Sequence, residues 1–111
     1  MDEKAHLTQR LVVSQDRQLP LSNIVRIMKM EIPENGKISE DTKDTMKEIL
    51  AEFIGFITDE AMDVCSKGGR TTVNGDDILE GMNNAGFDNY VSPLQIYLEK
   101  YREAPKDKRF T

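Results

Sequence analysis

The stretch KGGRTTVNGDDIL, residues 67–79, sets Arg70 seven positions ahead of Asp77 in a chain of formal net charge −5. A guanidinium presents a planar fork that grips a carboxylate or a phosphate through two parallel hydrogen bonds, a match lysine cannot reproduce. With Asn74 capping a helix and Asp77 one turn inside it, a loop doubling back through Thr71 to Val73 brings Arg70 onto the Asp77 carboxylate. The arginine then holds the loop shut. A plain phosphate contact, shared with the loop amides, is the other chemistry open to it.

Other chemistries find less support. The window DVCSKGGRTTVN puts Asp63 at the first position of a calcium loop and Gly68 at its turn, but Cys65 and Lys67 stand at the third and fifth positions and Asn74 replaces the closing glutamate. An acidic helical calcium sensor would have too few oxygen ligands there. No nucleophile, base or phosphate-loop pattern supports an enzyme, and no cofactor is expected. His6 has no Asp, Cys or Ser arrangement around it. Cys65, the one cysteine, excludes an intramolecular disulfide and, on an apolar stripe, behaves as a small hydrophobe. No apolar run approaches the roughly 20 residues needed to cross a bilayer, so no membrane association is expected, and the charged start MDEKAH lacks the apolar region of a secretory signal.

The 111 residues fit one modest domain. Residues 1–30 carry five Lys/Arg against three Asp/Glu, residues 31–103 seven against sixteen, and residues 104–111 three against one. An acidic body with basic ends argues against a nucleic-acid binder acting alone, and leaves room for a subunit with a locally basic edge. Residues 1–15 and 104–111 read as tails around a domain at 16–103. Within it, IPENGKIS, SKGGRTTVN and NAGFDNYVSP break the chain.

Four helical segments remain, and the fold class is all-α. The first, about Pro20 to Met30, has Pro at its start and apolar Leu21, Ile24, Val25, Ile27 and Met28. The second is expected to begin at SEDT with Ser39 as cap and to run to about Lys67. The third opens at Asn74 and ends at Gly86, a left-handed cap followed by Phe87. The fourth covers about Val91 to Glu103.

The second helix carries the main physical clue. Met46, Ile49, Leu50, Phe53, Ile54, Ile57, Ala61, Val64 and Cys65 recur at three- and four-residue spacing, with Phe56 beside them. At about 100° per residue they cover roughly half the circumference, wider than an ordinary amphipathic stripe. Short flanking helices cannot cover a face about 40 Å long. A bundle that folds alone remains possible on pattern, but a handshake with a second, similar chain fits better.

Taken in order, DRQLPLSNIVRIMK, GKISEDTK, EFIGFITDEA, RTTVNGDDIL and GFDNYVSPLQIYLEKYR resemble the B-subunit family of nuclear factor Y, the CCAAT-binding factor. The resemblance covers about Asp16 to Glu103. It implies a histone fold, short, long and short helices, with an extra C-terminal helix. It also implies a nuclear transcription factor subunit that pairs with a C-type histone-fold subunit and grips the backbone of double-stranded DNA. An A-type subunit then docks on the pair and reads CCAAT.

Carried over by position, the DNA face comprises Asn23, Arg26 and Lys29 on the first helix, Lys37 in the first loop, and Arg70, Thr71 and Thr72 in the second. The partner interface comprises Ile49, Leu50, Phe53, Ile54, Ile57 and Ala61, and the A-subunit dock Glu48, Glu52, Asp59 and Glu60. The Arg70–Asp77 pair is a hallmark of the fold. Without the resemblance, these cations and acids read as ordinary solvated charges. A histone-fold subunit of a different complex, a TATA-factor-binding repressor or a polymerase or remodeller accessory pair, is the alternative. Two departures stand out: Glu40 where many relatives carry a lysine, and GGRTT where they carry a more basic stretch.

Overall fold

The structure, a computed structural model, describes residues 19–105. The expected N-terminal tail, His6 and residues 106–111 of the expected C-terminal tail lie outside them. The described residues form helices α1 (Leu21–Lys29), α2 (Glu40–Lys67), α3 (Gly75–Asn84) and α4 (Val91–Glu103), with a 3-10 turn at Asp88–Tyr90 and no strand. This is the expected all-α order. None of these helices is long and apolar enough to cross a membrane.

The chain divides into two compact units, one ending at Gly55 and the other beginning at Phe56, so that the boundary falls within α2. The first unit holds α1, the loop after it and the start of α2. Pro20 caps α1 with extended backbone, and its carbonyl accepts from Asn23 and Ile24. At the start of α2 the Ser39 hydroxyl accepts from the Thr42 N–H at 3.4 Å and donates to the Asp41 carboxylate, which it holds below the usual carboxylate range. Ile24 is buried, yet Ile27, Met28, Ile32, Met46 and Leu50 line an open apolar groove with it.

In the second unit Ile57, Ala61 and Cys65 of α2 and Leu79 and Met82 of α3 are buried. Gly81 marks the crossing of these two helices. A Cβ there would lie 3.0 Å from the Ala61 nitrogen and 3.2 Å from the Glu60 Cβ, so the backbones meet only because the side chain is missing. Gly81→Val is expected to lower stability by about 1–3 kcal/mol through overpacking. An unchanged melting curve would contradict a tight crossing. The α3 terminus follows expectation: Gly86 is left-handed at φ 91°, and Phe87 N–H returns to the Met82 carbonyl at 2.9 Å. Arg102 of α4 reaches back to Asp76 at 2.8 Å, tying the last helix to the first turn of α3.

Candidate nucleic-acid interface

The loop from Gly68 to Asn74 is closed at both ends by helix-terminal geometry. At the end of α2, Gly69 is left-handed at φ 76°; its N–H bonds the Ser66 carbonyl at 2.9 Å, and the Arg70 N–H bonds the Cys65 carbonyl at 3.1 Å. This paired arrangement satisfies the last carbonyls of α2 and fixes the Arg70 backbone. At the start of α3, the Asn74 side chain accepts from the Asp77 N–H at 3.0 Å while the Asp77 carboxylate accepts from the Asn74 N–H at 2.9 Å, a reciprocal capping box.

Arg70 spans the two ends. Its Nη1 and Nη2 donate to the two Asp77 carboxylate oxygens at 2.9 and 2.6 Å, and Nη1 also reaches the Thr72 carbonyl at 3.4 Å. The Asp77 side chain is 3% exposed and the Arg70 side chain 43%, so the buried carboxylate is the member that depends on the pair. The fork, followed by the Asn74 N–H, holds the Asp77 carboxyl down to about 2, and Asp77 raises the Arg70 pKa in return. Cys65, fully buried, donates its thiol to the same Thr72 carbonyl at 3.4 Å.

Sequence reasoning missed three of these details. The glycine pair was a visible signal for the α2 terminus. The second task of Asp77 is foreshadowed by the Asn74-to-Asp77 spacing of a capping box. Nothing in the sequence pointed to the Cys65–Thr72 bond. The side of Arg70 not engaged by Asp77, with exposed Thr71 and Thr72, remains open to an anion.

The first unit presents the other cations. Arg26 and Lys29, in the last turn of α1, line an open concavity with Lys43 and Glu40 of α2. Lys29 and Lys43 also line an adjoining one of about 540 Å³ with Lys37, Ile32, Pro33, Glu34, Gly36 and Ile38. Asn23 is exposed on α1 and lines neither. Lys43 is absent from the sequence-derived set; three positions after Glu40, it reads as half of a routine helix-surface ion pair. The geometry suits phosphates, because ammonium and guanidinium groups around a concavity contact backbone oxygens without reading bases.

The apolar set assigned to a partner divides by burial. Ile49 and Ile54 are 53% and 51% exposed, and Leu50 and Phe53 are half-buried. Ile57 and Ala61, at 5% and 0%, are covered within this chain and belong to its own core. Of the acidic set, Asp59 is exposed and Glu48, Glu52 and Glu60 are half-buried, with Glu48 Oε2 buried and without a hydrogen-bond partner. The calcium window fails on geometry, since Asp63 to Lys67 are helical. Among the described residues no three His, Cys, Asp or Glu side chains gather to hold a metal.

A family model described as histone-like transcription factor (CBF/NF-Y) and archaeal histone matches residues 17–82. The chain belongs to this family. Among histone-like relatives, the B subunit of nuclear transcription factor Y from Zea mays is 53% identical over 100 residues, 90% of this chain and 56% of the maize protein. The B-1 subunit from Arabidopsis thaliana is 55% identical over 98 residues, 88% of this chain and 70% of that protein. The beta subunit from Dictyostelium discoideum is 52% identical over 93 residues, 84% of this chain but 19% of that protein. The chain thus spans about half the length of the maize histone-like protein.

Proposed function

We propose that this chain is the B-type histone-fold subunit of a nuclear CCAAT-box transcription factor, without enzymatic activity of its own. It pairs with a C-type histone-fold subunit through the exposed face of α2 and contacts double-stranded DNA through its phosphates. The pair recruits an A-type subunit that reads the sequence. The observation that carries the DNA role is the gathering of Arg26, Lys29, Lys37 and Lys43 around adjoining concavities in a chain of net charge −5. Local positive charge on an acidic body attracts a polyanion at that edge.

In this reading Asn23 donates from α1 beside those cations, and Arg70, Thr71 and Thr72 contribute a second set of backbone contacts. Glu48, Glu52, Asp59 and Glu60 form the dock for a basic segment of the A-type subunit. The half-buried Glu48, whose Oε2 has no partner within the chain, suits a site completed from outside.

A gel-shift titration tests the assignment, adding C-type and A-type subunits one at a time to a CCAAT duplex and to a scrambled one. The assembled complex is expected to shift both and to prefer CCAAT only when the A-type subunit is present. Lys37→Ala should weaken binding about equally on the two duplexes and reduce the salt slope by roughly 1. A loss confined to CCAAT would contradict a backbone contact.

A further inference from the structure

We propose that Lys43 is a phosphate contact and Glu40 its built-in competitor, so that this pair sets how tightly the chain holds duplex DNA; the inference rests on the function proposed above. Lys43 and Lys29 are the two cations common to both concavities of the first unit. Lys43 therefore occupies the place from which one ammonium can serve a phosphate seated in either. Its Nζ is already engaged, donating to Glu40 Oε1 at 3.0 Å.

Among the described residues, Glu40 is the one acid lining the concavity shared by Arg26, Lys29 and Lys43, and Glu34 is the one acid in the adjoining concavity. Four cations, Arg26, Lys29, Lys37 and Lys43, thus face two carboxylates, a local balance of +2. An exposed pair three residues apart on a helix contributes little to stability. Glu40 is 81% exposed and Lys43 holds it through a single contact, whereas the Lys43 side chain is only 23% exposed. The acid can swing away while the ammonium stays at the concavity. A phosphate entering this site must displace the carboxylate from Lys43 and remain in its repulsive field. Glu40 consequently lowers affinity for any duplex, whatever its sequence, and acts as a positioning and attenuating residue through Lys43.

The test uses the assembled complex and a duplex lacking CCAAT, with affinity measured across a salt series. Glu40→Gln removes the charge and keeps the shape. It is expected to tighten binding about two- to five-fold near 0.1 M salt, the range an exposed ion pair can be worth. The log–log salt slope should steepen by up to about 1, as Lys43 takes on a phosphate and one more counterion is released. In a Lys43→Ala or Lys43→Gln background the gain should vanish, the non-additivity that marks action through one partner. Melting curves of the DNA-free complex check that each variant folds, and Lys43→Gln retains side-chain length should the alanine variant fail.

Unchanged affinity in Glu40→Gln, or a gain that survives Lys43 replacement, overturns the inference. If Lys37→Ala still weakens binding in that case, the function proposed above stands without it. If the wild-type assembled complex does not shift duplex DNA at all, both fail.

Discussion

Replacing Ile49 and Ile54 together by aspartate is expected to leave the helices of this chain in place and abolish its association with a C-type histone-fold subunit. Both side chains lie on α2 and are more than half exposed, so neither substitution removes packing that the chain supplies to itself. In a handshake the same positions lose their water. An unpaired charge carried into such an interface costs several kcal/mol, and two of them far exceed the roughly 1.4 kcal/mol that corresponds to each tenfold in affinity. The expected loss is therefore more than about a hundred-fold. Ile57 and Ala61 would be poor choices for this test, because they are buried within the chain and an acid there would unfold it first. Co-purification of a stable heterodimer carrying both substitutions would move the interface off this face of α2.

The second large effect is expected at the loop between α2 and α3. Asp77→Ala removes the acceptor for both arms of Arg70 and for the Asn74 N–H, leaving the loop closed only by the Gly69 terminus and the Cys65–Thr72 bond. The melting temperature of the DNA-free heterodimer should fall by about 5 °C or more. Arg70→Lys retains the charge but not the fork and should fall in the same direction by less. Combined with Asp77→Asn it should lose little beyond the larger single effect, since both break one interaction.

Acid supplies an independent readout. The folded Asp77 carboxyl is depressed from 3.8 to about 2, chiefly by Arg70 and then by the Asn74 N–H. A depressed carboxyl stabilises fully above its unfolded pKa and loses that contribution as pH falls through the folded value. The wild-type heterodimer should accordingly lose melting temperature between about pH 4 and pH 2 more steeply than Asp77→Asn. Parallel curves would show that the fork contributes nothing measurable. If Arg70→Lys melts like wild type and Arg70→Ala weakens only DNA binding, Arg70 is a phosphate contact and not a loop clamp.

The helices and their termini were legible because the signals that set them are local. Ser39, Asn74 and Gly86 act on backbone groups within one turn, and the seven-residue separation of Arg70 from Asp77 spans one loop and one capped turn. Gly69 was equally local and was missed because the neighbouring glycine made the stretch read as a generic break. Its conformation brings Arg70 N–H back to Cys65 and so starts the loop in the direction that the Asp77 contact requires.

Residue types and spacing by themselves determined four helices, their caps, the arginine–aspartate pair and a face of α2 too wide for an ordinary surface helix. Periodicity says which side chains share a face, but burial depends on what crosses that face, and this only tertiary structure decided. Ile54 and Ile57 are the same residue type on the same stripe; one is half exposed and the other buried. Ala61 is covered because α3 presents Gly81 to it, a contact between residues twenty positions apart that neither local pattern contains. The cation cluster has the same origin. Lys43 reads in sequence as the partner of Glu40, and only the loop between α1 and α2, folding Lys37 toward Lys29, makes it part of a site. Backbone preferences act over one turn and are written in neighbouring residues; burial and charge clustering arise where distant segments meet, and their energies depend on that meeting.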